Sequence, residues 1–241
     1  MKRIMELPKP RVEEIEGFLV VRDDLLEGGT KTRIIGEYLK KHPNVKEWVY
    51  PSPRQGYAQL AISIVCKSFG LKSTIFVPKG KKSWITERVE YYSGKVIMVP
   101  MGYLSHLNKR ATDYTNENQD RKLIPFGCDD EIMVYGIEKV AKSLPIKPPQ
   151  EIWSSLNSGV LSRGLQRAFP NSKVYGVQTG HIPTERERGR AIIIKSKYDF
   201  NQPCKKSELP PFPSSLHYDA KVWEVMKEKG KKGSLFWNVG K

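Results

Sequence analysis

The sequence predicts an α/β protein in which parallel sheets carry helices on both faces. Three observations predict it. Short apolar runs, several of them rich in β-branched residues, recur along the chain at residues 17–21, 71–78, 95–100 and 173–178. Helix-length stretches separate many of them, joined by short links of Gly, Pro, Ser and Asn. One crossover unit is complete: a strand at 46–50, a loop Pro51-Ser52-Pro53-Arg54-Gln55-Gly56, a helix at 57–69, and a strand at 71–78. That order defines a βαβ unit, and so a parallel sheet.

Length and composition bound the rest. With 241 residues the chain has room for one large domain or two small lobes sharing a core. No apolar run is long enough to span a bilayer, and Met1-Lys2-Arg3 opens no leader pattern. The three cysteines, Cys66, Cys128 and Cys204, are odd in number and lack metal-ligand spacing. They fit a reducing cytoplasm better than a disulfide frame, so a cytoplasmic protein with no membrane partner and no metal is expected. The formal charge of +15 is high for an enzyme of small molecules. Basic residues gather at Lys79, Lys81 and Lys82, at Lys109-Arg110, from Arg186 to Arg190, at Lys205-Lys206, and from Lys227 to Lys232. Such a field suits a polyanion, most simply nucleic acid; a merely solvated basic surface is the other reading.

In chain order, Leu7-Pro8-Lys9-Pro10-Arg11 reads as a stiff extended arm, and 17–21 as a buried strand. Arg22-Asp23-Asp24 stops that strand, and Gly28-Gly29 turns the chain. Lys31 then stands at the mouth of a helix over 30–41, whose apolar positions are Ile34, Ile35, Tyr38 and Leu39. A lysine at a helix start lies beside unpaired N–H groups and the positive dipole end. That setting favours a nucleophilic amine, as Schiff-base chemistry requires; a solvated Gly-Gly-Thr-Lys turn is the plainer alternative. Further helices are expected at 86–93, 105–118 and 132–143. Residues 151–165 read as strand, serine-rich loop and helix, the kind of helix start whose N–H groups cradle phosphate. A serine helix cap is its plainer reading. Residues 178–218 are rich in Pro and charge, and a final strand is expected within 233–240.

Several segments carry a resemblance. Arg22-Asp23-Asp24-Leu25 followed by Gly28-Gly29-Thr30-Lys31-Thr32-Arg33 resembles the lysine segment of fold-type II pyridoxal-phosphate (PLP) enzymes, the tryptophan synthase beta-like superfamily. The nearest branch holds 1-aminocyclopropane-1-carboxylate deaminase and D-cysteine desulfhydrase. Ile124-Pro125-Phe126-Gly127-Cys128 is similar to that branch's Ile-Pro-x-Gly-Gly, and Val134-Tyr135-Gly136 to its next helix. Asn157-Ser158-Gly159, then Gly164-Leu165, resembles its Gly-Ser-Gly-Gly-Thr loop, with Val160 and Leu161 replacing Gly and Thr. Tyr218-Asp219-Ala220-Lys221 resembles its Val-Tyr-x-Gly-Lys, and 233–240 its Leu-Phe-x-His-Thr-Gly-Gly. The matches follow family order from about residue 7 to the end, in a shortened and divergent chain.

The resemblance implies two α/β lobes with PLP between them: a larger, PLP-binding lobe of residues 1–40 and 146–241, and a smaller one of 41–145. It implies Lys31 as the PLP lysine and proton shuttle, and Tyr218 as the catalytic tyrosine. Asn157, Ser158, Gly159 and Ser162 fall at the phosphate, and Asn238 at the pyridine nitrogen. Tyr57 takes the place of the asparagine that bonds the cofactor's phenolic oxygen, and Gly56 that of the deaminase serine. Ser52, Gln55, Gly56 and Gln59 border the substrate carboxylate. His181 or Tyr198 stands in for an active-site tyrosine segment missing between Gln178 and Tyr218. The implied function is a PLP-dependent lyase, deaminase or decarboxylase acting at the α-carbon of an amino acid. The charge extends this to an amino acid attached to a nucleic-acid base, as in phage DNA hypermodification. The alternative is a non-catalytic protein of this fold that binds nucleic acid. A homodimer is the family's usual state.

Overall fold

A computed structural model of the chain describes residues 7–100 and 104–241; Met1-Lys2-Arg3 lies outside the described residues. Residues 8–30 supply strands β1 (Val12–Ile15) and β2 (Phe18–Arg22). There follow α1 (Thr32–Lys40), β3 (Glu47–Pro51), α2 (Ala58–Phe69), β4 (Lys72–Pro78) and α3 (Trp84–Tyr91). Next come β5 (Lys95–Val99), α4 (Leu104–Asn116), β6 (Arg121–Leu123) and α5 (Glu131–Lys142). The last elements are β7 (Glu151–Leu156), α6 (Val160–Ala168), β8 (Lys173–Gln178), a single turn α7 (Glu185–Arg188), β9 (Ile192–Lys195), α8 (Asp219–Lys229) and β10 (Leu235–Asn238).

The chain divides into two compact units, one holding residues 31–128, the other residues 8–30 and 129–241. The lobe limits read from the sequence, at residues 40 and 145, stand about one helix away from these in each case. The first unit is a four-stranded sheet of order β5-β4-β3-β6, parallel throughout. Its central strands are buried because both faces are covered: Trp48, Val49, Ile75 and Phe76 are all at least 96% shielded from solvent. In α2 an unbroken run from Ala58 to Cys66 is buried. A run buried all round needs no apolar stripe, and its two polar members, Gln59 and Ser63, are hydrogen-bonded inside.

The second unit is a six-stranded sheet of order β1-β2-β10-β7-β8-β9. Only β1 runs antiparallel; the other neighbours pair in parallel. Its core is aromatic, with Phe18, Trp153, Phe212, Trp223 and Phe236 in one cluster. Two strands of this sheet were not expected from the sequence, nor was β6 in the first unit. β1 hides in Val-Glu-Glu-Ile, and β9 is a three-isoleucine run inside the charged stretch after β8. β2 ends at Arg22, as the charges predict, and those charges are internal. Asp23 and Asp24 are 0% and 2% exposed, and Asp24 accepts both Arg22 Nε (2.9 Å) and Nη2 (2.8 Å).

Helices α5 and α6 of this unit cross at Gly164. A Cβ there would lie 2.4 Å from Ile137 Cγ2 and 3.0 Å from the Val134 carbonyl oxygen. Gly164→Ala is therefore expected to cost about 1–3 kcal/mol, as overpacking does. Urea unfolding should show a lower midpoint with an unchanged slope.

Candidate active site

The turn that precedes Lys31 is built on the second unit's sheet. Gly28 and Gly29 both adopt positive φ, 80° and 66°, which few other residues tolerate. Thr30 follows, 2% exposed, and is tied three ways. Its N–H donates to the Val239 carbonyl (3.1 Å), its hydroxyl donates to Asp23 (2.8 Å), and the Trp237 indole donates to that hydroxyl (2.9 Å). The backbone entering Lys31 is thus fixed by buried bonds to β10 and the end of β2. Lys31 itself is half-buried and caps α1 with helical backbone angles, and its carbonyl accepts the N–H groups of Ile34 and Ile35.

Within the first unit, Lys31 acts on Cys128. Burial pushes that thiol up to about 11, and the positive charge of Lys31 works against the shift. Cys128 takes φ of +60° beside Gly127, at the second glycine of the Ile-Pro-x-Gly-Gly pattern. The loop between β3 and α2 is held from inside. Ser52 is fully buried and donates to the Pro53 carbonyl (3.0 Å). Gln59, also fully buried, donates to the carbonyls of Gly56 (3.0 Å), Arg54 (3.2 Å) and Pro53 (3.4 Å). Ser52 and Gln59 therefore shape the loop, and Gln55 is its half-exposed side chain. Tyr57 starts α2 with its ring edge-on to Trp84 at 5.9 Å, packed against Leu60, Ile64 and Ile85.

In the second unit, β7 leads through Asn157-Ser158-Gly159 into α6. Gly159 is the cap residue, at φ 72°, and supplies no side-chain cap to the first turn of the helix. A helix start carries N–H groups and the positive dipole end, the arrangement that suits a phosphate dianion. Ser158 brings a hydroxyl to the same turn. Asn157 is half-buried and donates to Thr179 (3.0 Å). Ser162 is fully buried and accepts from Gln166 (3.0 Å), so its oxygen serves the inside of α6.

Asn238 at the end of β10 is committed internally. Its amide donates to Asp24 (2.8 Å) and to the Pro213 carbonyl (2.9 Å), and its oxygen accepts from Ser214 (2.8 Å). Beside it lies a residue that the sequence left unassigned. Asp219, 1% exposed at the start of α8, accepts from the Ser155 hydroxyl and the Val239 N–H, each at 3.1 Å. It brings a carboxylate to the carboxyl ends of β7 and β10. Tyr218 precedes it, half-buried, and burial with the Asp219 charge holds its phenol well above the ordinary range.

No family model and no curated protein sequence matches the chain. Solved structures do match. The structure of an ACC deaminase homologue gives a TM-score of 0.84 over 99% of this chain and 90% of its own, at 13% identity. The threonine deaminase of T.th. gives 0.70 over 92% and 86%, at 15% identity. The O-acetylserine dependent cystathionine beta-synthase of Helicobacter pylori gives 0.66 over 96% and 93%, at 13% identity. The fold is that of fold-type II PLP enzymes.

On this fold, the two stand-ins offered for the missing tyrosine segment are otherwise engaged. His181 is exposed and pairs with Glu187 (3.1 Å) ahead of α7. The Tyr198 hydroxyl donates to the Glu208 carboxylate. Asp219 was hidden from the sequence for a simple reason. Its partners Ser155 and Val239 are 64 and 20 residues away, and nothing local marks an Asp after a tyrosine as buried.

Proposed function

We propose that the protein is a PLP-dependent enzyme acting at the α-carbon of an amino acid, of lyase or deaminase type. The observation that carries this reading is the turn ahead of Lys31, where Thr30 is bonded to β10 by Val239 and Trp237. A surface lysine needs no such anchorage. The donor types also suit the cofactor: the α6 start with Ser158 would meet the phosphate, Asp219 a protonated pyridine nitrogen, and the half-buried Lys31 amine the aldehyde. When bound, PLP would supply an electron sink for breaking a bond at the substrate α-carbon.

The chain's own residues then divide the work. Lys31 is the amine that would hold the aldehyde carbon and move a proton at the substrate α-carbon. The Asn157–Gly159 turn, with Ser162 behind it, would hold the phosphate. Asp219 takes the role that the resemblance gave to Asn238, whose amide is used within its unit. Tyr218 would serve as acid or base; with its phenol held high, it enters as the protonated acid. Gln55, Gly56 and Tyr57 would border the substrate, on a loop shaped by Ser52 and Gln59. The neighbours named as deaminases favour deamination or elimination over decarboxylation. Borohydride reduction of the PLP-treated protein tests this. A phosphopyridoxyl mass on the peptide containing Lys31 is expected, and its absence, or its spread over surface lysines, defeats the proposal.

The charge of +15 favours one extension, an amino acid already linked to a nucleic acid. Filter binding to DNA and RNA at graded salt checks it; an affinity without salt dependence ends it. The competing reading, a non-catalytic protein that binds nucleic acid, draws on Tyr57, Val160 and Leu161 as departures from the PLP pattern, with Val239 standing where the Leu-Phe-x-His-Thr-Gly-Gly pattern has Thr. A visible absorption band on adding PLP would separate the two.

A further inference from the structure

The least expected charge in the second unit is Lys221, on the first turn of α8 and 0% exposed. A buried ammonium is retained only where acceptors compensate it. Here they are two successive main-chain carbonyls, Asp199 at 2.8 Å and Phe200 at 3.3 Å. His217 Nδ1 lies 3.3 Å from the same Phe200 carbonyl. The segment so gathered has little regular structure of its own: between β9 and α8 there is one 3-10 turn, at 206–208. The Phe200 ring meets the Tyr218 ring edge-on, with centroids 5.7 Å apart and planes at 69°. Phe200 Cδ2 also lies near Gly180, 3.4 Å from where a Cβ there would stand, with Asn157 Oδ1 at 2.6 Å.

We propose that Lys221 is a positioning residue, whose bonds to the Asp199 and Phe200 carbonyls seat the Phe200 ring against Tyr218 and so fix how that phenol is presented. The role assigned to Tyr218 rests on the PLP reading above; the seating itself does not. The titratable groups that face Lys221 are Asp199, Cys204 and His217. Burial brings its ammonium down to about 8, against the opposing pull of Cys204 and Asp199. The unfolded chain keeps the proton up to the ordinary lysine value of 10.5. Between these values the unfolded state binds more protons than the folded one, so stability should rise with pH across that window.

The test uses the full chain with ring-¹³C tyrosine and no added cofactor. The Tyr218 resonance, assigned with Tyr218→Phe, should move in Lys221→Met and in Phe200→Leu while the other tyrosines stay. In the unsubstituted protein it should titrate with a midpoint near 8, and the thermal midpoint should climb over the same window. If Lys221→Met moves nothing that Phe200→Leu moves, the inference is overturned. If Lys221→Met does not fold, the unsubstituted protein decides, and a Tyr218 signal flat from pH 7 to 10 overturns it. In turnover assays, Lys221→Met should lower kcat about tenfold with KM unchanged, and adding it to Tyr218→Phe should cost nothing more. No turnover in any form would count against the PLP reading alone, because the resonance shifts need no cofactor.

Discussion

Lys31→Ala is expected to remove the visible band that forms with PLP and to lower turnover by at least about 10²–10⁴-fold, the range a positioned proton-transfer group supplies. The fold should survive the change. The Lys31 side chain makes no cap bond to α1, its backbone is already helical, and alanine favours that conformation. The bonds that set the turn belong to Thr30, one residue earlier, and are untouched. Absorption spectroscopy and a substrate-release assay on the same preparation measure both effects. A variant that keeps the band would place the amine elsewhere.

The same turn shows why its backbone was legible and its surroundings were not. Gly28 and Gly29 act through backbone angles, which are local, so a short motif carries them. The βαβ order was legible for a similar reason. Each buried strand of a parallel sheet is a run of apolar residues that needs no knowledge of its neighbours. The failures have the opposite character. Asn238 sits where the resemblance puts the cofactor's nitrogen partner, yet its amide is spent on Asp24 and Pro213, 214 and 25 residues away. Serine, glutamine and asparagine look alike in a sequence whether they face a ligand or brace a loop, and Ser52, Gln59 and Ser162 brace. β9 was missed because Ile192, Ile193 and Ile194 lie between basic residues, and only pairing with β8 makes them a strand. Lys221 is the extreme case: burial reverses the ordinary expectation for lysine, and no periodicity announces it.

Gly159→Ala should be the most damaging single methyl in the second unit. The residue stands at φ 72°, where an alanine costs about 1 kcal/mol or more. Its Cβ would also lie 2.0 Å from the Glu187 carbonyl oxygen and 2.6 Å from that carbonyl carbon. The obstacle is main chain, so shortening Glu187 to alanine cannot relieve it. Relief requires moving α7, which is held by its capping box at Thr184 and by the Arg186–Asp129 pair at 2.7 Å. The Gln166 amide, donating to the Arg188 carbonyl at 2.9 Å, holds the other end of the turn. Either those bonds break or the α6 start is pushed back, and the two routes give different results. Loss of the α7 bonds lowers stability, by about 2–4 kcal/mol in all, the scale of strained backbone together with a broken network. Displacement of the α6 start instead spares stability and weakens the hold on PLP by tenfold or more, since the N–H groups no longer converge. Urea unfolding of the cofactor-free protein reads the first, and PLP titration of the folded protein reads the second. A variant unchanged in both would mean that Gly159 and Glu187 do not meet.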